Sequence, residues 1–159
     1  MLIKNAIIYL ETKRKEWLHM LHKERTNIYD FNYHLVFVTK YRKAIFTNKQ
    51  LQDDMKSILQ TISQGNDSTI ENIEVMPDHI HMLLSFKPKY APSSIVKSFK
   101  GTSAREWFKL HPETKSQLWG GHLWSPSFFI STIGNVSKET VQKYIESQMK
   151  KSFTKKNAR

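Results

Sequence analysis

Residues 70–86 do most to limit the fold. Ile70-Glu71-Asn72-Ile73-Glu74-Val75 reads as a strand, and so does the run from His79 to Phe86. Only Met76-Pro77-Asp78 separates them. A turn this short makes the two strands antiparallel neighbours. Side chains alternate along a strand, so Ile80, Met82 and Leu84 face one way while His79 and His81 share the other face. Residues two apart on a strand lie roughly 6 to 7 Å apart, so both imidazoles can reach one metal ion. A strand devoted wholly to core would not set two titratable rings side by side.

The rest of the chain fits around this pair. Tyr33-His34-Leu35-Val36-Phe37-Val38-Thr39 predicts a strand that runs into the basic loop Lys40-Tyr41-Arg42-Lys43. Thr47-Asn48-Lys49-Gln50 matches a capping box. The helix after it carries Leu51, Met55, Ile58, Leu59 and Ile62 as its apolar stripe and ends at Gly65-Asn66-Asp67. Pro92 opens a second helix, with Ile95, Val96, Phe99, Ala104 and Trp107 inward and Lys97, Lys100 and Arg105 toward solvent. A polar connection containing Pro112 and Gly120-Gly121 leads to a strand over 127–132. After the Gly134-Asn135 break, Ser137 caps a last helix over about 138–151, with Val136 and Val141 placed as a hydrophobic staple. The order strand, helix, strand, strand, helix, strand is the split βαβ, ferredoxin-like pattern. The expected fold is therefore α+β: an antiparallel sheet, helices on one face and an appended C-terminal helix. Residues 1–24 form a helical leader, with Ile7, Leu10, Trp17 and Leu21 on one side. The compact domain spans 25–151, and a basic tail covers 152–159.

Composition narrows the function. The chain has 25 Lys+Arg against 14 Asp+Glu, a formal net charge of +11, which favours a polyanionic partner, nucleic acid first. A merely soluble basic protein is the bland alternative. The absence of cysteine excludes disulfides and thiolate metal sites and suits a reducing cytoplasm. No run approaches the roughly 20 apolar residues of a membrane span. The first residues lack a small-residue cleavage site and are not read as a signal peptide.

Two constellations can carry chemistry. The histidine pair is either an open, nitrogen-ligated metal site or an ordinary surface or hydrogen-bonded pair, and spacing alone leaves both open. On the last helix, Tyr144 and Gln148 are four apart and share a face. A tyrosine hydroxyl with its pKa near 10 is a poor nucleophile, unless a nearby cation polarises the group it attacks. By residue type alone, Tyr144 reads better as a packing residue beside Val141 and Ile145.

Resemblance shifts that balance. His79-Ile80-His81, flanked by Met76-Pro77-Asp78 and Met82-Leu83-Leu84, resembles the HUH signature of histidine, hydrophobic residue, histidine. Tyr33 to Lys43 resembles the first strand and basic turn of single-tyrosine HUH transposases of small bacterial insertion sequences, the IS200-like TnpA type. Phe99 to Arg105, Leu118 to Ser127, Ser131 to Gly134 and Tyr144 to Gln148 follow in the same order, so the likeness covers about residues 25–150. The family often has a glycine pair where this chain has Gly134-Asn135, and asparagine also tolerates left-handed backbone. The leader lies outside the resemblance.

The resemblance implies a transposase acting on single-stranded DNA with subterminal hairpins. His79, His81 and Gln148 would bind Mg²⁺ or Mn²⁺, and Tyr144 would form a 5′-phosphotyrosine link. It also implies a homodimer in which one subunit's tyrosine helix completes the other's histidine site. Lys40, Arg42, Lys43, Lys97, Lys100 and Arg105 become candidates for phosphate contacts and Tyr41 for base stacking. The rivals are a domesticated nuclease that processes repeat hairpins, a non-catalytic nucleic-acid binder, and a metal-dependent phosphoesterase that uses water.

Overall fold

The computed structural model describes residues 22, 23, 25, 28, 29 and 31–132. The leader before residue 22, Gly134-Asn135, the last helix with Tyr144 and Gln148, and the basic tail lie outside these described residues. Two short strands, β1 (His22–Lys23) and β2 (Ile28–Tyr29), pair antiparallel, so the helix expected up to residue 24 does not include His22 and Lys23. The main body then runs β3 (Asn32–Val38), α1 (Lys49–Gly65), β4 (Ser68–Met76), β5 (His79–Phe86), α2 (Pro92–Leu110) and β6 (Phe129–Thr132). The four long strands form one sheet in the order β4-β5-β3-β6, every neighbouring pair antiparallel. That is the split βαβ arrangement: β5 inserts between β3 and β4, and β3 inserts between β5 and β6.

Alternation decides what each face carries. Leu35 and Phe37 of β3 and Ile80, Met82, Leu84 and Phe86 of β5 are fully or almost fully buried. They join one core with Met55, Leu59 and Ile62 of α1 and Ile95, Val96, Phe99 and Trp107 of α2. Both helices therefore pack on this side. On the other side the register sets Val36 opposite His81, Val38 opposite His79 and His34 opposite Leu83. A β-bulge between Ile70 and Asn72 inserts Glu71 as an extra residue in β4. The bulge re-phases the strand, so Ile70, Ile73 and Val75 all reach the core cluster.

Four further local expectations need correction. The N-cap of α1 is Asn48, whose side chain accepts from the Leu51 N–H at 3.0 Å. Asparagine caps at least as well as threonine, so the helix starts one residue later than the capping box implied, and Gln50 bonds Asp54 instead of reaching back. The connection after α2 is not simply polar. Its 3₁₀ turns, Pro112–Gln117 and Trp119–Gly121, carry the chain back so that Leu118, Leu123 and Trp124 enter the core. Trp124 meets Phe37 edge-on at 4.6 Å between ring centroids and donates to Ser103 Oγ at 2.9 Å. Third, Lys100 is half-buried rather than turned to solvent. Its Nζ donates to the carbonyls of Ser125 (2.6 Å), Pro126 (3.0 Å) and Ser127 (3.0 Å). Those carbonyls are turned to the ammonium instead of a strand ladder, which accounts for the fourth correction: β6 begins at Phe129, not at 127.

Candidate active site

The sheet face away from the helices gathers three imidazoles. His81 projects from the middle of β5, and His34 from β3 meets it, with His34 Nδ1 and His81 Nε2 3.1 Å apart. The two rings stack at 5.3 Å between centroids. His79 stands two residues before His81, where the turn enters β5, so the pair shares a face as alternation requires. Glu74 of β4 lies directly across from His81.

The turn supplies a second layer of support. Asp78 Oδ1 lies 2.8 Å from His79 Nδ1, and its other oxygen accepts from Arg42 Nε at 2.6 Å. A carboxylate at Nδ1 holds the proton there and leaves the lone pair on Nε2, the arrangement usual behind a metal-bound histidine. Burial alone would raise the Asp78 pKa. Hydrogen bonds from His79 and Arg42, together with the Arg42 charge, outweigh burial and hold the carboxyl below its ordinary value. The His81 pKa falls below the ordinary 6.5, first through burial and then through the neighbouring His34 charge, while Glu74 opposes the shift. The shift favours the neutral ring, one nitrogen of which is engaged with His34.

Backbone geometry aims Arg42 at Asp78. Tyr41 and Arg42 both sit at positive φ, 55° and 53°. This left-handed backbone costs about 1–3 kcal/mol at each non-glycine residue. The loop is tied at several points: Thr39 N donates to Asp78 O (2.9 Å), Lys40 N to Leu123 O (2.8 Å) and Thr39 Oγ1 to Lys43 O (2.7 Å).

The donor set suits a divalent cation only in part. Two imidazoles on one face, one with its tautomer set by a carboxylate, are ligands for a divalent transition ion, and Mg²⁺ or Mn²⁺ would need oxygen ligands beside them. Ser131 Oγ, on β6 across from His34, is buried without a hydrogen-bond partner among the described residues. Among the described residues, however, no three His, Asp or Glu side chains converge as a metal site. A further ligand has to come from elsewhere, and Gln148 lies outside the described residues.

The expected basic residues divide. Lys40, Lys100 and Arg105 line one groove of about 520 Å³ with Phe108, His122 and Pro126. Lys100 spends its ammonium on backbone carbonyls, Arg42 spends its guanidinium on Asp78, and Lys97 is exposed on α2 outside that groove. Sequence reasoning missed the roles of Asp78, Arg42 and His34. Asp78 had a signal, being adjacent to His79. The Arg42 and His34 contacts join positions 36 and 47 residues apart, which no local pattern encodes.

A family profile described as "Transposase IS200 like" matches residues 27–148. The ISDra2 transposase TnpA of Deinococcus radiodurans is 43% identical over 126 residues, covering 79% of this chain and 89% of that protein. The transposase for insertion sequence element IS200 of Salmonella typhimurium is 31% identical over 118 residues, covering 74% of this chain and 76% of that one. A crystal structure of a Deinococcus radiodurans R1 protein assigned as a transposase superposes with a TM-score of 0.74 at 38% identity. It covers 80% of this chain and 97% of that structure.

Proposed function

The chain belongs to the IS200-like transposase family, and on that footing we propose that it cuts and rejoins single-stranded DNA at insertion-element ends. The reaction runs through a covalent tyrosine intermediate, and hairpins mark the ends. His79, its tautomer set by Asp78, and His81, whose pKa burial lowers, would hold Mg²⁺ or Mn²⁺ together with Gln148. When bound, the ion orients the scissile phosphate and offsets its charge. Tyr144 Oη attacks phosphorus. The O–P bond forms as the P–O3′ bond breaks, the phenolic proton is lost, and the departing 3′ oxygen takes up a proton. The 5′-phosphate stays on Tyr144 beside a free 3′-OH. Attack by a 3′-OH on the phosphotyrosine reverses the step, so strands are rejoined with no external energy source.

The histidine pair on the sheet face away from the helices, with Asp78 and Arg42 behind His79, carries this reading. The transposase names of the similar proteins and the net charge of +11 support it. Two copies would share the site, the Tyr144 helix of one completing the histidines of the other across the Gly134-Asn135 break. A chain without cysteine suits a reducing cytoplasm.

The test is incubation with single-stranded hairpin oligonucleotides from the ends of the native element, with Mn²⁺ or Mg²⁺. A covalent protein–DNA adduct that disappears in Tyr144→Phe is expected. Turnover without an adduct, retained in Tyr144→Phe, would point to a water-using phosphoesterase. Binding with neither adduct nor cleavage would reduce the chain to a nucleic-acid binder.

A further inference from the structure

Two loops far apart in sequence bring an exposed indole and a half-buried tyrosine ring together beside the histidine turn. Tyr41 lies in the strained loop after β3, and Trp119 heads the turn Trp119–Gly121. Their rings meet at 6.3 Å with an interplanar angle of 67°, and Lys40 Nζ lies 5.1 Å from the Tyr41 ring centroid. Trp119 is 60% exposed, the most exposed of the large apolar side chains among the described residues. Trp107 and Trp124, in contrast, are buried with their indole N–H groups hydrogen-bonded.

The backbone is arranged to keep this ring out. Gly120 and Gly121 both have positive φ (72° and 66°), and a Cβ at Gly121 would meet Lys115 Cε at 3.0 Å. Gly121 N closes the turn on Leu118 O at 3.0 Å, and Leu118 is anchored in the core. On the other loop, the Arg42–Asp78 ion pair holds the left-handed backbone that presents Tyr41. One carboxylate thus links this aromatic pair to His79.

We propose that Tyr41 and Trp119 form a stacking platform for an unpaired base of single-stranded DNA, with Lys40 contacting the adjoining phosphate. The inference rests on the DNA substrate proposed above and assigns the contact that sets the strand next to the histidine turn. Every base has a π-face, so such a platform binds unpaired DNA with little regard to sequence. An exposed indole in a basic setting fits such a role, and the backbone strain at Tyr41 is of the kind that clusters at ligand-binding sites.

The test uses the full chain and a 16-nucleotide oligo-dT, with binding followed by fluorescence anisotropy. Stacking on one aromatic side chain corresponds to roughly a 5- to 150-fold affinity difference. Trp119→Ala should weaken binding within that range, and Trp119→Phe should restore much of it. Tyr41→Gly removes the second ring while relieving its backbone, so it folds and should also weaken binding. Because no charge is lost in any of these variants, the slope of affinity against salt should stay that of the parent, whereas Lys40→Ala should make it shallower. An abasic oligonucleotide should bind the parent and Trp119→Ala equally.

Unchanged affinity in Trp119→Ala, a loss that persists on the abasic strand, or no oligo-dT binding by the parent would each overturn the platform. The transposase reading is judged separately, by the Tyr144-dependent adduct. An adduct that forms while Trp119→Ala binds normally sinks only the platform, and stacking without any adduct sinks only the reaction.

Discussion

Asp78 serves two partners at once, and both depend on its remaining ionised. One oxygen holds His79 in the tautomer a metal needs, and the other holds Arg42 and with it the strained loop. Asp78→Asn is expected to weaken Mn²⁺ binding about 10- to 100-fold by isothermal titration. It should also cost about 1–3 kcal/mol of stability, because Arg42 keeps its charge in a half-buried place without a carboxylate. Mn²⁺ affinity equal to the parent's would remove Asp78 from the site. The pKa of this carboxyl is depressed, so its contribution is present above the ordinary 3.8 and fades as pH falls through the lower folded value. The His81 pKa is lowered too, first by burial, and for a base that favours the neutral imidazole. Asp78 is held down by its hydrogen-bond partners against burial, and His81 first by burial itself.

At the scale of elements, one side chain clamps the loop before β6. Lys100 Nζ, from the middle of α2, donates to three successive carbonyls, and burial lowers its pKa from 10.5 to about 8. At neutral pH it is still an ammonium, with three donors for three acceptors. Between about 8 and 10.5 the unfolded chain binds more protons than the folded one, so stability contributed by this group rises with pH through that window. Urea unfolding of the parent and of Lys100→Met at about pH 7 and about pH 10 should show the difference moving in the parent's favour as pH rises. A difference independent of pH would contradict the burial of the ammonium. The start of α1 offers a simpler check. Asn48→Ala removes the cap to Leu51 N and should cost about 1 kcal/mol in thermal or urea unfolding, while Thr47→Ala should cost less. The reverse order would restore Thr47 as the cap.

For the whole molecule, charge and sheet work together. A net charge of +11 implies that DNA binding releases counterions. If about four phosphates are neutralised on a single strand, log affinity should fall against log salt with a slope of about −2.8. A slope near zero would mean that the basic residues do not face DNA. The sheet separates duties: one face is filled by both helices, and the other carries His34, His79 and His81. Much of this was legible beforehand. Period-two alternation in 79–86, the short turn at Pro77-Asp78 and the apolar stripe of α1 are local patterns, and local patterns survive in a linear chain. The Lys100 carbonyl clamp, the core residues of the 111–126 connection and the Tyr41–Trp119 pair were not legible. Each joins segments separated by 20 residues or more, or depends on backbone that turns against the usual φ.

The sequence by itself determined that His79 and His81 share a strand face, because alternation is a property of one strand. It also determined the order of elements, and through it the split βαβ sheet. Only the tertiary structure decided what surrounds those histidines. His34, Arg42 and the bulged β4 reach them through strand register and loop closure, and both depend on contacts between residues distant along the chain.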